Sequence, residues 1–408
     1  MSEPAVLIAG AGPAGLVAAL ILSRAGVRVR VFEAQEELPT DLRASTFHPP
    51  TLDMLAELDL ADRLVAQGLV APSYQFRDRA SGETATFDMA CLEGLTGYPF
   101  RLQCEQWKLT REAASDLAKE PLAELNFGHE VVAVTQDAEG AALTLQGPEG
   151  PVEARGAYVI GADGANSAVR RGLGIGFDGF TYPEQWVVAS TPQDFAESLP
   201  NLSYVSYTSD PEEWFVLLRT KDLWRVLIPV AEDVDRDEVL SDAFLQDKMQ
   251  GIAPREGGYE IAHRTIYRVH QRVADTYRVG RVAIAGDAAH INNPLGGMGM
   301  NGGVQDAVNL ARKLAAILTE GADAEALLEH YSRQRRAIAE EYVKAHTHQN
   351  KQAIAETDPA KRAETLAKMQ AIERTPELLL AHVRKGAMID AVAKSMAVMP
   401  DEAAAAAQ

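Results

Sequence analysis

The opening of the chain constrains the kind of sheet it can build. Ala5-Val6-Leu7-Ile8-Ala9 is apolar at every position, the pattern of a short parallel strand buried on both faces. Gly10-Ala11-Gly12-Pro13-Ala14-Gly15 then turns the chain, residues 16–25 read as a helix, and Gly26 ends it. Val27, Val29 and Val31 alternate with arginines and lead into Phe32-Glu33, a second strand. Within this strand–turn–helix–strand unit, Gly10 permits the tight turn and Gly12 lets backbone approach a pyrophosphate. Gly15 allows the helix to pack close to the strand. Phosphates are expected at the helix N-terminus, where unpaired N–H groups and the dipole favour negative charge. Glu33 ends the second strand where a carboxylate takes a ribose hydroxyl. The unit predicts a dinucleotide site over Gly10, Gly12, Ala14, Gly15 and Glu33, and leaves the identity of the dinucleotide open.

Two later stretches each deliver an aspartate to a glycine turn. The first is Gly161-Ala162-Asp163-Gly164-Ala165-Asn166-Ser167-Ala168-Val169-Arg170. The second runs Gly280-Arg281-Val282-Ala283-Ile284-Ala285-Gly286-Asp287-Ala288-Ala289-His290, then Pro294, then Gly296-Gly297-Met298-Gly299-Met300-Asn301-Gly302-Gly303. It reads as a strand, an aspartate at the strand's carboxyl end, a glycine-rich loop and a helix. Five glycines between Gly296 and Gly303 are costly to order. That cost points to a backbone surface laid against a flat ligand. Each stretch alone is also compatible with an ordinary turn.

The remaining pattern is mixed. Residues 51–67 read as one amphipathic helix through Leu52, Leu55, Leu58 and Leu64. Residues 76–87 and 131–145 read as hairpins, and residues 106–119 as a helix. From 186 to 229 the texture is β-rich and aromatic, which predicts a second, antiparallel sheet. A helix is expected over 232–252 and a returning strand over 261–273. Beyond Gly303 nearly everything is helical: 304–318, 324–349, 359–374 and 376–399. Thr357-Asp358-Pro359 and Thr375-Pro376 are helix starts. No long β-rich segment is read there.

Composition excludes several partners. The chain has 408 residues and a formal net charge of −19. Such a surface repels nucleic acid and anionic lipid. Cys91 and Cys104 form no C-x-x-C pair and suggest a reducing compartment. No apolar run reaches the roughly 18 residues of a membrane span, and residues 5–10 are too short for a signal-peptide core. A cytoplasmic monomer or homodimer is the expectation. His346 and His348 lie two apart and do not share a helix face, so no metal site is expected.

The three glycine motifs, in this order, resemble those of the FAD-dependent aromatic hydroxylases, single-component flavoprotein monooxygenases of the p-hydroxybenzoate hydroxylase type. The resemblance runs from Ala5 to about Arg336. It implies an α/β fold: a Rossmann-like FAD-binding domain (residues 1–72, 99–178 and 277–349), an inserted antiparallel β-sheet substrate domain (73–98 and 179–276), and a C-terminal helical segment and tail (350–408). It also implies cofactor roles. Gly10, Gly12 and Gly15 would hold the FAD pyrophosphate and Glu33 the adenosine ribose. Arg43, in Arg43-Ala44-Ser45-Thr46, matches an arginine that lies against FAD. Gln103 matches a glutamine that contacts the cofactor. Asp163 belongs to the motif linked to both FAD and nicotinamide cofactor use. Asp287 would bind the ribityl chain, and Pro294 would face the flavin ring. Gly299, Met300 and Asn301 would line its pyrimidine side. Tyr331 and Arg335-Arg336 fit a Y-x-x-x-R-R helix seen in many members.

The implied activity is hydroxylation of a small aromatic or N-heteroaromatic substrate with O2 and NADH or NADPH, through a flavin hydroperoxide. A reductase, halogenase or desaturase of the same fold is the alternative, and a non-catalytic flavin-binding sensor a further one. A base that ionises the substrate would help. His48, Tyr204, Tyr207 and His290 are candidates by position, with Pro294 beside the ring. His48 also reads as an exposed loop residue and His290 as a structural one. Tyr204 and Tyr207 share a predicted strand at odd spacing, so at most one faces the substrate. Leu378, Leu379, His382 and Val383 are expected to cover the FAD domain or a dimer contact.

Overall fold

A computed structural model describes residues 5–42 and 44–399. Its parallel sheet grows from the opening unit. Ala5–Ala9 pairs in parallel with Arg28–Phe32 on one side and Tyr158–Gly161 on the other. Ala123–Asn126 extends the sheet beyond Arg28–Phe32, and Val282–Ile284 extends it beyond Tyr158–Gly161. The antiparallel Arg278–Val279 closes that edge. Val6, Leu7 and Ile8 are fully buried, as an uninterrupted apolar strand covered on both faces must be. Helix Pro13–Arg24 packs between Gln106–Leu117 and Met298–Ala315. A three-stranded meander, Glu130–Gln136, Ala141–Gly147 and Gly150–Gly156, joins the same core.

The second sheet has eight strands. Their order is His290–Ile291, His263–Ala274, Phe177–Thr191, Trp224–Val230, Phe215–Arg219, Val205–Ser209, Ser73–Asp78 and Thr84–Asp88. All neighbours are antiparallel except Val205–Ser209 and Ser73–Asp78, which run parallel. The ladder between Phe177–Thr191 and His263–Ala274 shifts between Thr181 and Gln185. Pro183, which has no N–H to donate, lies in that gap. Period-two alternation gives the sheet two apolar faces. Val187, Ala189, Phe215 and Leu217 pack on helix Asp242–Ile252 through Leu245 and Met249. Trp186, Val188, Val216 and Leu227 face the other way, in one core with Ile354, Leu366 and Val383 of the C-terminal helices. A small sheet of Thr46–Phe47, Arg101–Gln103 and Leu69–Ala71 lies between the two large ones in the chain's path.

Several elements differ from the sequence expectation. The single helix over 51–67 is two, Pro49–Ala56 and Ala61–Gln67, because Asp59 takes a left-handed conformation at φ 59°. Residues 376–399 form Pro376–Gly386 and Ile389–Ala397, broken at Met388 with φ 64°. The helix expected to begin at 304 starts at Met298, so all of the glycine-rich stretch after Gly297 forms its first turns. Residues 324–349 follow Ala324–Ile338 and Ala345–Ile354, with a wider π-turn between.

Candidate active site

The three glycine motifs meet. Gly10 sits at φ +96°, and a Cβ there would lie 2.4 Å from the Ala162 carbonyl oxygen and 3.2 Å from the Asp163 Cα. The Gly15 Cβ position is 2.0 Å from the Gly10 carbonyl oxygen, so only glycine lets the helix approach the turn. Gly286 lies against Ala14, whose Cβ is 3.3 Å from the Gly286 Cβ position, and against Gly303 of the third motif. Gly12 differs, with nothing within 4 Å of its Cβ position.

That open side belongs to a groove of about 570 Å³ lined by Gly10, Gly12, Glu33, Trp107, Asp163 and Gly164, among others. The Glu33 carboxylate accepts from the Ala11 and Gln35 N–H groups at 2.8 and 3.0 Å, which fixes it at the strand end. Helix Pro13–Arg24 has no side-chain cap, and neither has Met298–Ala315, which begins at the left-handed Gly297. Two uncapped N-termini leave N–H groups for a polyanion and for charge on a ring. Asp163 caps the Val169 N–H through one oxygen, while its Oδ1 is buried without a partner. Gln103 is fully buried; its Oε1 accepts from Thr46 Oγ1 at 3.1 Å and its Nε2 has no partner. The orphaned Asp163 oxygen beside an open glycine turn fits a polar dinucleotide.

A second cavity lies across the glycine loop, where Gly296 and Met298 form one wall. Tyr74, Phe87 and Tyr207 come from the second sheet, Arg101 from the small sheet, and Met369 and His382 from the C-terminal helices. Phe87 lies 5.0 Å from the Tyr74 ring and 4.5 Å from that of His382. Arg101 is 3% exposed. Its guanidinium sits 4.0 Å over the Tyr74 ring and donates to the Tyr207 hydroxyl at 3.3 Å. Among the described residues no carboxylate pairs with it. Burying a cation costs several kcal/mol, whereas a cation–π contact returns about 0.5–2 kcal/mol and one hydrogen bond about 1 kcal/mol. The imbalance marks this cavity as built for something other than stability.

Comparison with known proteins agrees with this geometry. A family described as "FAD binding domain" matches residues 3–346. Para-nitrophenol 4-monooxygenase of Pseudomonas sp. (strain WBC-3) is 33% identical over 88% of this chain and 89% of its own. The chain belongs to the FAD-dependent aromatic monooxygenases. A 6-hydroxy-3-succinoylpyridine 3-monooxygenase of Pseudomonas putida is also 33% identical, over 78% of this chain and 80% of its own. The crystal structure of p-nitrophenol 4-monooxygenase PnpA from Pseudomonas putida DLL-E4 superposes with a TM-score of 0.88 at 34% identity. It spans 94% of this chain and 98% of that one. FAD is the cofactor, and no helix among the described residues is long and apolar enough to cross a membrane.

The other candidate residues of this monooxygenase fall into distinct places. His48, which also read as an exposed loop residue, is fully buried. Its Nε2 lies 2.7 Å from the Gly296 carbonyl oxygen, and its Nδ1 has no partner. Burial, helped by the Arg101 cation, lowers its pKa to about 3, so the ring is neutral at neutral pH. His290 lies in a buried chain: its Nε2 is 2.8 Å from Asp306, which accepts from Arg335 at 2.6 Å and from the Gly286 N–H at 3.1 Å. Burial works against the Asp306 charge, but Arg335 and His290 outweigh it and hold its pKa below the ordinary value. Tyr331 of the same late helix donates to the Ile284 carbonyl at 2.6 Å. These contacts brace the third motif from behind.

Asn301 spends both of its side-chain N–H donors inside the protein. It accepts from the His48 N–H at 2.8 Å and donates to the Thr46 and Gly297 carbonyls at 2.8 and 2.7 Å. Pro294 and Met300 are half-buried and Gly299 lies beside Asn292. Asp287 is exposed on the turn Gly286–Ala288. Tyr204 does not share a strand with Tyr207: the strand is Val205–Ser209, and Tyr204 precedes it, 39% exposed. Only Tyr207 reaches the cavity. Arg43 lies outside the described residues. His348 pairs with the Tyr182 hydroxyl at 3.0 Å, whereas His346 lines the cavity. His382 and Val383 cover the second sheet rather than the FAD-binding sheet. Sequence reasoning missed Arg101, Tyr74, Phe87 and Met369. Each is unremarkable in its own stretch and gains meaning only when segments distant along the chain converge.

Proposed function

We propose that the protein inserts one oxygen atom of O2 into a small aromatic or N-heteroaromatic substrate, using NADH or NADPH as reductant. The observation that carries this reading is the aromatic-lined, Arg101-bearing cavity set against the same glycine loop that begins helix Met298–Ala315. The relatives named for p-nitrophenol and for a hydroxylated pyridine support a substrate of one ring. Bound FAD, once reduced, supplies the oxygen chemistry.

The chain's own residues have four tasks. Gly10, Gly12, Gly15 and Glu33 hold the dinucleotide, with Gln103, Asp163 and Asp287 as further polar contacts. The uncapped N–H groups of Gly299 and Met300 favour negative charge at the ring without a charged side chain. The C-terminal helices, with Met369 and His382, keep water from the cavity. The His290–Asp306–Arg335 chain keeps the loop in register. His48 is an unfavourable general base, because a ring with a pKa of about 3 holds a proton poorly.

Purified protein is expected to carry FAD. NADH or NADPH oxidation should accelerate with one of a panel of phenols, anilines and hydroxylated N-heterocycles. The product should gain one oxygen atom from labelled dioxygen. Turnover without label incorporation, or a halogenated product, would replace hydroxylation by reduction or halogenation. Protein that neither carries nor takes up FAD would end the reading altogether.

A further inference from the structure

The roof of the cavity beside the glycine loop comes from helices Pro359–Arg374 and Pro376–Gly386. Arg362, Leu366 and Met369 follow one another at spacings of four and three, so they share one face of the first helix. Arg362 pairs with Asp78 and Leu366 is buried in the core of the second sheet, which turns Met369 into the cavity. The other end of the roof is pinned at Met388, which shares a small buried core with Met298, the first residue of the glycine-loop helix. Between these anchors the roof residues differ in freedom. The His382 ring lies 4.5 Å from that of Phe87 and 6.1 Å from that of Tyr74, which fix it. Gly386 brings backbone to the cavity wall: a Cβ there would stand 3.2 Å from the Tyr74 hydroxyl and 3.8 Å from the Arg101 guanidinium. Met369 is half-buried, so it lies between cavity and solvent. Its side chain is unbranched and turns about three bonds.

We propose that Met369 and Gly386 determine substrate size: Met369 is the movable gate that admits one aromatic ring, and Gly386 is the fixed stop that leaves no room for a second. The inference rests on the monooxygenase reading and deepens it by naming the residues that enforce a single ring. With Met369 in place the cavity holds about 60 Å³, too little for a ring. The roof shift that entry demands comes most readily at Met369, whose side chain swings outward while the Arg362–Asp78 pair limits how far its helix follows. The His382 ring and the Gly386 backbone do not yield in the same way, so the room gained suits one ring and not two. A pocket closed by packing discriminates through the carbon atoms it can accommodate.

The test titrates FAD-loaded enzyme by calorimetry with 4-nitrophenol and with 4-nitro-1-naphthol, the same phenol carrying a second, fused ring. The wild type is expected to bind the single ring at least about 10-fold tighter. Met369→Ala should tighten the naphthol at least about 10-fold and change 4-nitrophenol less than about 3-fold. Association followed by stopped flow should quicken for both ligands. Met369→Leu keeps the volume but branches the side chain. It should retain the preference and slow association, which keeps the test open if Met369→Ala folds poorly. Gly386→Ala sets a methyl group against the Tyr74 hydroxyl on an ordinary helical backbone. It should weaken 4-nitrophenol at least about 10-fold, while the ligand-free protein melts no lower than the wild type, because alanine favours a helix over glycine. A naphthol-to-phenol ratio that stays the same in Met369→Ala overturns the proposal. So does a wild type that binds both ligands equally, or neither. Gly386→Ala protein that melts lower and binds as before marks a purely structural glycine and counts against it equally. Oxygen incorporation by the wild type with an unmoved ratio in Met369→Ala sinks this inference alone. A moved ratio without oxygen incorporation sinks the monooxygenase reading alone.

Discussion

Gly12 and Gly15 lie three residues apart in one loop and carry opposite predictions. A methyl group at Gly12 enters open space and meets no atom within 4 Å, at an ordinary negative φ of −72°. Gly12→Ala should therefore fold with a ligand-free stability within about 0.5 kcal/mol of the wild type, yet bind FAD at least about 10-fold more weakly. Gly15→Ala places Cβ 2.0 Å from the Gly10 carbonyl oxygen. It should cost about 3 kcal/mol or more even without cofactor. Flavin fluorescence titration and thermal melts separate the two. Equal losses of stability would show that the groove beside Gly12 is not where the dinucleotide sits. At this scale the sequence was most legible where chemistry is local, as in the glycine turns and Glu33. It was least legible for His48, His290 and Asn301. Their partners Gly296, Asp306 and Thr46 come from other parts of the fold, and spacing along the chain holds no trace of that meeting.

Helix Pro359–Arg374 is held to the second sheet by a buried ion pair between Arg362 and Asp78. Both helix starts were readable from Asp358-Pro359 and Thr375-Pro376. What the helices cover was not, because the sheet residues beneath them lie some 280 positions away. The cavity they roof holds about 60 Å³, smaller than the roughly 150 Å³ that accommodates benzene in an engineered core. Entry of a ring thus requires the roof to shift, and the Arg362–Asp78 clamp opposes that shift. Arg362→Gln leaves Asp78 buried with only its Ser81 contacts. The expected loss is about 3 kcal/mol, with faster proteolysis between residues 355 and 358 and a lowered KM, because the open roof is more populated. Limited proteolysis with and without substrate checks this. Unchanged cleavage in the variant would show that the roof is held by apolar packing through Leu366 and Val383 instead. Helix breaks escaped prediction for a related reason. Asp59 and Met388 adopt positive φ although neither is a glycine, and tertiary packing, not local propensity, selects that backbone.

The molecule is dominated by two large sheets, and the chain leaves and re-enters each of them. The β-rich, aromatic texture of residues 186–229 announced the second sheet. The parallel pairing of Val205–Ser209 with Ser73–Asp78 did not show, because it joins segments more than 120 residues apart. Between the sheets and the C-terminal helices lie the buried His48 and the half-buried His346 and His382, with pKa values lowered to about 3, 3 and 4. An unfolded histidine titrates near 6.5. Between pH ~6.5 and ~4 the unfolded chain binds protons that the folded chain refuses, so stability must fall as pH falls. Each histidine contributes a slope approaching about 1.4 kcal/mol per pH unit in the middle of that window. Asp78 and Asp306, held below their ordinary pKa by Ser81 and Arg362 and by Arg335 and His290, act later. Their stabilisation is intact above pH ~4 and is lost as pH drops through the lowered values. Acid loss should therefore begin well before the carboxylates titrate. Acidification also relieves self-repulsion in a chain of charge −19, so the measurement belongs at high salt, where that opposing effect is screened. Urea unfolding at pH 6 and pH 5 should report uptake of two to three protons on unfolding, and His382→Gln should reduce the number by about one. Uptake of fewer than one proton would mean that these rings are solvated in the folded protein and that the cavity they border is open to water.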